Sequence, residues 1–421
     1  MFKQIVCLLA LIMYFSPEPA LTHEPSTTSG VSVNKINDHL YQLTCAGGTP
    51  VNLMLSTGPD GKLLVDAGRT SSVDQLLEAL DTLGNGDVKY IISTHSDNDH
   101  NGGNRALGNG TTLIAHENTA KRLSGAYFAF PPLPGRRIPD LRVTHDFSMT
   151  FNGEVIQFIH IPHAHTDGDL MAFFSQSRVL YTGDLLLADL IAYVHPEFGG
   201  DALSYVNNLK SILDTLPTDI TLIPGHGPNY TLEQLRDYYK MLKFTSERVE
   251  ESWQRSETAE DVLADDRLDQ WAHWNGSATT THMNIWIPDL FRSFSDAEHG
   301  RVVSVCDPMT RLIIDEGVQA AVAWYRQARQ ESPSGYACGV DELNNLGYHL
   351  LWRNQLGDAI EVFRLNIEAY PDDANTYDSM GEAYMTRGDK ELAITYYEKS
   401  LELDPLNQNA RAMLAQLKES D

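Results

Sequence analysis

The strongest signal in this chain is the stretch Thr94-His95-Ser96-Asp97-Asn98-Asp99-His100-Asn101-Gly102-Gly103. Four of its side chains, two imidazoles and two carboxylates, lie within six residues, and the chain later supplies His165, Asp184 and His226. Such groups are ligands for divalent metal ions, and a set of this size can serve two ions at once. If the side chains converge, they can hold two metal ions and leave a place for water.

The sequence around these residues predicts a layered α/β domain. Helical periodicity is found at 71–83 and 203–216, with a further helix starting at 117. These helices alternate with strand-like runs at 52–56, 62–66, 88–92, 111–115, 141–150, 155–161, 170–174, 178–181 and 220–223. Each candidate ligand therefore follows the end of a predicted strand, where loops converge while the strands stay rigid.

Four segments of the chain resemble the metallo-β-lactamase superfamily. They are the stretch quoted above, then Ala164-His165-Thr166-Asp167-Gly168-Asp169, Tyr181-Thr182-Gly183-Asp184 and Ile223-Pro224-Gly225-His226-Gly227. They occur in the order of that family, and the resemblance covers about residues 31–245. It implies an α/β fold in the form of a four-layered αββα sandwich, which we expect to be the catalytic domain.

The resemblance also implies a ligand set and a reaction. The first metal ion would be bound by His95, Asp97 and His165, the second by Asp99, His100 and His226, and Asp184 would bridge the two. A metal-bound hydroxide would attack a carbonyl, and Asp99, as the catalytic residue, would orient that hydroxide. We expect two divalent ions, with zinc favoured and manganese or iron as alternatives.

The sequence departs from the family pattern at Asp97, where histidine is usual. A carboxylate can ligate zinc, but its negative charge weakens the Lewis acidity of the ion and favours a harder metal. Three interpretations stay open: a working binuclear site, a site that works through the second metal ion alone, and a degenerate site. Because every other ligand position is filled, the first is the expectation.

The second half of the chain is predicted to be helical and repetitive. Gly347 recurs as Gly381 after 34 residues, and the same spacing relates Ala359 to Ala393, Phe363 to Tyr397 and Pro371 to Pro405. This is the tetratricopeptide pattern, in which small residues let paired helices approach and an aromatic residue fills the gap. Residues 246–300 are predicted to form a helical linker, whose segment 256–266 is polar. Residues 301–421 are predicted to form a tetratricopeptide-like domain. That domain would either bind a peptide or protein in a groove or pack on the catalytic domain.

The N-terminus resembles a secretory signal. One lysine precedes an apolar run from Ile5 to Phe15, which is too short to span a bilayer comfortably, and proline residues follow it. We expect a signal peptide at 1–22 and an exported protein, periplasmic or secreted, with no membrane span after cleavage; an uncleaved anchor is the alternative. A disulfide between Cys306 and Cys338 and free buried thiols are both compatible with the sequence.

The formal net charge of −26 argues against nucleic-acid binding, because phosphate backbones would be repelled. The leading hypothesis is an exported metal-dependent hydrolase of an ester, lactone, thioester or β-lactam, acting on a small molecule. The alternative is a weakly catalytic or non-catalytic scaffold that binds peptides. Tyr193 and His195 are candidates for substrate contact or plain surface residues. The aromatic, proline-rich loop at 125–135 is a candidate wall over the metals or a packing cluster.

Overall fold

The computed structural model describes residues 26–28, 30–46, 49–108, 110–125, 137–275, 283–300, 304–331, 336 and 339–419. The expected signal peptide, nearly all of the aromatic loop and Cys338 lie outside these residues. Within the described part of the chain, no helix combines the length and apolar character needed to cross a membrane.

The first sheet has eight strands in sequential order. They are β1 (Ser26–Thr28), β2 (Val31–Lys35), β3 (Leu40–Cys45), β4 (Val51–Gly58), β5 (Gly61–Val65), β6 (Val88–Ser93), β7 (Thr112–His116) and β8 (Leu141–Val143). Pairing is antiparallel from β1 to β5 and parallel from β5 to β8. The predicted hairpin of β4 and β5 is therefore confirmed, and β6 delivers the metal-ligand stretch at its end.

The second sheet has five strands in the order β13-β12-β11-β10-β9. They are β9 (Phe147–Phe151), β10 (Glu154–Ile161), β11 (Asp169–Phe174), β12 (Val179–Tyr181) and β13 (Thr221–Ile223). Only the pairing of β12 with β13 is parallel. His165, Asp184 and His226 follow β10, β12 and β13, as the sequence predicts.

One predicted strand was wrong, because residues 141–150 form two strands that belong to different sheets. β8 pairs with β7 in the first sheet, whereas β9 pairs with β10 in the second. The chain crosses between the sheets at residues 144–146, and Phe147 then stacks on Phe158 of β10. Periodicity within one strand does not show which neighbour the strand will pair with, so the break is not visible in the sequence.

Helices cover the outer faces of both sheets. In chain order up to residue 299, the helices are α1 (Val73–Thr82), α2 (Asn98–Asn101), α3 (Glu117–Leu123), α4 (Ala202–Thr215), α5 (Leu232–Gln254), α6 (Ala259–Leu263) and α7 (Met283–His299), of which α2 belongs to the metal-ligand stretch. Short 3-10 helices lie at Thr70–Ser72, Gly183–Leu185, Pro196–Phe198 and Asp266–Asn275. Leu76 and Leu80 of α1 pack on the first sheet, and Tyr205 and Tyr238 of α4 and α5 pack on the second. A separate apolar cluster fills the space between the sheets, which confirms the αββα sandwich.

The polar segment at 256–266 is not the plain linker that its composition suggests. It contains α6, whose N-terminus is capped by reciprocal hydrogen bonds between Thr258 and Asp261. Val262 of α6 and Trp286 of α7 are buried in the same apolar cluster as α4 and α5. The helices after residue 245 thus pack as part of the outer layer on the second sheet, while the predicted domain boundaries stay predictions.

The C-terminal region has its own apolar core, formed by helices alone. They are α8 (Cys306–Glu316), α9 (Val318–Glu331), α10 (Val340–Trp352), α11 (Leu356–Ala369), α12 (Ala374–Arg387), α13 (Lys390–Leu403) and α14 (Gln408–Glu419). The predicted repeat explains the close approach of the helix pairs: a Cβ atom at Gly347 would overlap the Phe363 ring, and one at Gly381 would lie 2.9 Å from the Tyr397 ring. Cys306 is a buried free thiol, and its Sγ donates to the Glu342 carbonyl at 2.9 Å.

Candidate metal centre

The loop after β6 is held in a fixed shape by its own side chains. Asp97 lies at the N-terminal end of the short helix α2. The Asn101 side chain donates to the carbonyl oxygens of His95 and Asp97, both at 2.8 Å. Gly102 packs directly on the backbone of residues 68–70, where a Cβ atom would collide with main-chain atoms. The loop is therefore closed tightly enough to direct several side chains to one place.

The structure brings together the four side chains predicted around the first metal ion. Ligand atoms of His95, Asp97, His165 and Asp184 all lie within 4.8 Å of one another. Asp97 Oδ2 is 3.3 Å from His165 Nε2 and 3.7 Å from His95 Nε2. Donor atoms around one tetrahedral ion with bonds of about 2.0–2.2 Å lie at similar separations.

A second group lies beside the first. It consists of Asp99, His100 and His226, whose ligand atoms also fall within 4.8 Å of one another. His226 Nε2 is 3.4 Å from Asp99 Oδ2. Asp184 reaches both groups, because its Oδ1 is 3.1 Å from His100 Nε2 and its Oδ2 is 3.7 Å from His95 Nε2. Asp184 has room for these contacts because residue 225 is glycine. A Cβ atom at Gly225 would overlap Asp184 Oδ1.

The outer ring nitrogen of each of these four histidines has a hydrogen-bond acceptor. His100 Nδ1 lies 2.8 Å from Asp66 Oδ2, His165 Nδ1 2.7 Å from the Tyr193 carbonyl, and His226 Nδ1 2.8 Å from the Pro50 carbonyl. His95 Nδ1 lies 2.9 Å from the Thr94 hydroxyl, which itself donates to Asp66. An acceptor at Nδ1 places the proton there and leaves the Nε2 lone pair facing the other ligands.

When these rings are neutral with the proton on Nδ1, electron pairs face one another inside the cluster. His100 Nε2 and His226 Nε2 lie 3.4 Å apart, and neither can donate if each carries its proton on Nδ1. Among the described residues, His95 Nε2 and Asp184 Oδ1 are buried without a hydrogen-bond partner. A buried polar atom without a partner is costly, so this donor set fits divalent cations. Which residues ligate them stays a prediction.

The electrostatics of the cluster keep its carboxylates ionised. Burial opposes the charge on Asp97, but His195 and His95 outweigh it and lower the pKa of that carboxyl well below its usual range. Burial likewise opposes the charge on Asp184, whereas His226 and His100 lower its pKa well below the ordinary value. Both carboxyls are therefore ionised at neutral pH, as metal ligands must be.

Asp66 supports the predicted ligands, although the sequence does not single it out. It is completely buried at the end of β5 and accepts hydrogen bonds from Thr94, His100 and Tyr181. The only signal in the sequence was a carboxylate directly after the apolar run of a buried strand. Its role follows from the parallel pairing of β5 with β6, which places it beside the ligand stretch.

The comparison with known families agrees with this geometry. Residues 46–226 match the model of the Metallo-beta-lactamase superfamily. This part of the chain is a metallo-beta-lactamase superfamily domain. Residues 374–405 match the model of the Tetratricopeptide repeat. Family and donor set together support a metal-dependent hydrolase.

Two solved structures are similar to the metallo-beta-lactamase domain. A metallo-beta-lactamase from Pontibacter korlensis is 20% identical, with a TM-score of 0.44, over 51% of this chain and 99% of its own. VMB-1, in a crystal structure at pH 5.5, is 16% identical, with a TM-score of 0.44, over 52% of this chain and 100% of its own.

His195 lies at the edge of the metal cluster of the metallo-beta-lactamase domain. Its Nε2 is 3.2 Å from Asp97 Oδ2, and its Nδ1 is 2.9 Å from Glu197 Oε1. Burial disfavours a charged ring, but Asp97 and Glu197 raise the pKa of His195 well above its usual value. His195 is thus more than a surface residue, and Tyr193 contributes the carbonyl that orients His165.

Two other histidines near the cluster make structural contacts. His163 Nδ1 lies 2.9 Å from the Gly199 carbonyl. His116 caps α3 and stacks on His160 at a centroid distance of 3.9 Å. Burial, followed by the nearby His160, lowers the pKa of His116 to about 4. A neutral ring at physiological pH suits its role as a cap acceptor.

A cavity of about 260 Å³ opens onto the metal cluster. From the metallo-beta-lactamase domain it is lined by Ser96, Asp97, Asn98, Asp99, Arg122, His195 and Phe198, and from α10 by Asn345, His349 and Trp352. The helical region therefore reaches the candidate active site. No feature of the sequence indicated that α10 would contribute to it.

Proposed function

We propose that this protein is a binuclear metal-dependent hydrolase that cleaves a small molecule with an electrophilic carbonyl. The observation that carries the proposal is the inward-facing set of imidazole nitrogens and carboxylate oxygens beside an open cavity. His95, Asp97 and His165 would hold one ion, Asp99, His100 and His226 the other, and Asp184 would contact both. Two bound divalent ions supply Lewis acidity and lower the pKa of water to near neutrality.

The protein's own residues would position the reactants. Asp99 lines the cavity, and its carboxylate can accept a hydrogen bond from a water molecule there. Arg69 donates to Asp99 Oδ2 at 3.0 Å and to the Thr49 carbonyl at 2.7 Å. This guanidinium fixes the Asp99 carboxylate in one orientation, which an orienting group needs.

A chromogenic panel tests the proposal. The full-length mature protein, loaded with zinc or manganese, is assayed on a cephalosporin, a lactone, a thioester, aryl esters and a phosphodiester, with and without chelator. We expect chelator-sensitive turnover of one carbonyl class, and loss of that turnover in Asp99→Ala. Asp38→Ala is the matched control, because the Asp38 side chain is 85% exposed and pairs with Lys35 on the surface.

The outcomes separate the alternatives. Turnover that resists chelator, or that survives in Asp99→Ala, would overturn the mechanism. Failure to bind either metal and to turn over any substrate would favour the scaffold alternative. That alternative draws on the match of residues 374–405 to a tetratricopeptide repeat, a module that commonly binds peptides. A scaffold would keep its partner in Asp99→Ala.

Export is a further part of the proposal and rests on the sequence alone. The apolar run from Ile5 to Phe15 supports a signal peptide that is removed, which would place the protein in the periplasm or outside the cell. Mass spectrometry of the secreted or periplasmic protein would show a mature N-terminus near residue 22. An intact Met1 in a membrane fraction would instead indicate an anchor.

A further inference from the structure

We infer that helix α10 of the tetratricopeptide-like region forms a wall of the substrate cavity and binds an aromatic group of the substrate. This inference rests on the proposed hydrolase function and names the class of molecule that the site takes. The expected substrate carries its scissile carbonyl next to a flat aromatic substituent.

One face of α10 is directed at the cavity. Asn345, His349 and Trp352 are spaced at i, i+4 and i+7, so they share one side of the helix. All three line the same cavity as Asp97 and Asp99. A substrate bound at the metal cluster would therefore lie within reach of side chains from both parts of the chain.

Polar contacts fix α10 against the metallo-beta-lactamase domain. Asn345 Nδ2 donates to Glu197 Oε1 at 2.8 Å, and that oxygen also accepts from His195. Arg353, the next residue after Trp352, donates to the Gly125 carbonyl at 2.8 Å. These bonds lie at both ends of the lining face, so the wall has a defined position relative to the metal cluster.

The chemistry of the cavity favours an aromatic group. Trp352 is 43% exposed although it is a large apolar residue, and its ring meets the His349 ring edge-on at 5.0 Å. On the side of the metallo-beta-lactamase domain, Phe198 stacks on His195 at 4.9 Å. Aromatic rings prefer such stacked and edge-to-face contacts, so the cavity offers two surfaces for one more ring.

The charged side chains of the cavity already have partners of opposite charge. In the proposed site Asp97 and Asp99 would face the metal ions, and His195 lies between Asp97 and Glu197. Arg122 is the one lysine or arginine among the lining residues, and it already pairs with Asp167 at 2.5 Å and donates to the Phe198 carbonyl at 2.6 Å. A neutral aromatic substituent needs no further charged partner in the cavity.

The test compares phenylacetamide with acetamide, two neutral probes that differ by the ring alone. Ligand-observed NMR measures the dissociation constant of each with the full-length protein, in the presence of zinc and again after chelation. In Trp352→Ala, we expect the preference for phenylacetamide over acetamide to fall roughly threefold to tenfold. Trp352→Phe should keep most of the preference. Leu406→Ala is the matched control, since Leu406 is 64% exposed and is not among the cavity residues.

Phe198→Ala is a second, independent variant on the metallo-beta-lactamase side of the cavity, in case Trp352→Ala does not fold. An unchanged preference in both variants, with native circular dichroism, would overturn the inference. An equal loss for both probes would also overturn it, because the ring would then not be the recognised group. If the preference for phenylacetamide falls as expected but no carbonyl substrate is hydrolysed, the proposed function is wrong. The inference that α10 binds an aromatic group is then still supported.

Discussion

The Nδ1 atom of His100 lies 2.8 Å from Oδ2 of Asp66, and both side chains are completely buried. The same carboxylate accepts from the Thr94 hydroxyl and the Tyr181 hydroxyl, each at 2.8 Å. Asp66 therefore orients His100 directly and His95 through Thr94. One residue without any contact to a metal ion would thus set the direction of two predicted ligands.

Asp66→Asn should weaken metal binding. The amide keeps one acceptor oxygen but turns an NH2 group toward donors, so both imidazoles lose their fixed orientation. We expect metal affinity to fall roughly tenfold to a hundredfold. The backbone at residue 66 has φ of 62°, which asparagine tolerates, so folding should survive. Competition with a chromogenic chelator measures the change, and Asp38→Asn serves as the surface control. Unaltered affinity would show that Asp66 is only structural.

Asp97→His tests the departure from the family pattern. Imidazole is a softer ligand than carboxylate, and the substitution removes a negative charge from the first site. We expect the preference for zinc over manganese to rise, because harder ions favour oxygen ligands. Parallel titrations of both metals, with Asp38→His as control, give the ratio of affinities. A ratio equal to that of the wild type would mean that Asp97 does not ligate the ion.

Asn345→Ala should destabilise the contact between the two parts of the chain. Its amide donates to the buried Glu197 carboxylate, which keeps His195 as a second donor, and a hydrogen bond to a charged group contributes roughly 1.5–3 kcal/mol. We expect a lower midpoint in denaturant unfolding and a higher KM, because the cavity wall is no longer fixed. Asn375→Ala, an exposed position on α12, provides the comparison. Equal KM values for the two variants would contradict the assigned role of α10.

Asp378 gives the helical region a pH dependence of its own. Burial raises the pKa of this carboxyl to about 6 from an ordinary value of 3.8, although Asn409 and Asn407 donate to it and act in the opposite direction. The folded protein therefore binds the proton more tightly than the unfolded chain. The resulting stability is fully present below about pH 4 and is lost as the pH rises through about 6, and the total loss is about 3 kcal/mol.

Asp378→Asn removes this titration. The melting temperature of the variant relative to the wild type should increase between pH 4 and pH 7, as followed by far-ultraviolet circular dichroism. Asp372→Asn, at an exposed carboxylate, is the matched control. Its difference in melting temperature from the wild type should not change with pH. A variant that loses stability equally at both pH values would show that the hydrogen bonds from Asn407 and Asn409 matter more than the charge.

Local sequence patterns predict much of the fold. The apolar run before His95 predicts β6, and the turn at 57–61 predicts the hairpin of β4 and β5. The 34-residue spacing of Gly347 and Gly381 predicts the paired helices, because a side chain at either position would meet the aromatic ring opposite. Such features depend on neighbours along the chain or on one adjacent helix, so the sequence displays them directly.

Contacts between distant segments were not visible in the same way. The run at 141–150 splits between two sheets, and Asn345 donates to Glu197, the partner of His195, across 148 residues. Neither arrangement leaves a periodic signal, since each depends on which elements pack together in three dimensions.

The family, the donor types and their order follow from the amino-acid sequence alone, because a metal site needs particular side chains at the ends of particular strands. The contact of Asp66 with His100 and the place of Trp352 in the cavity wall depend on tertiary packing. Hydrogen-bond geometry and the shape of a cavity arise when segments far apart in the chain pack together.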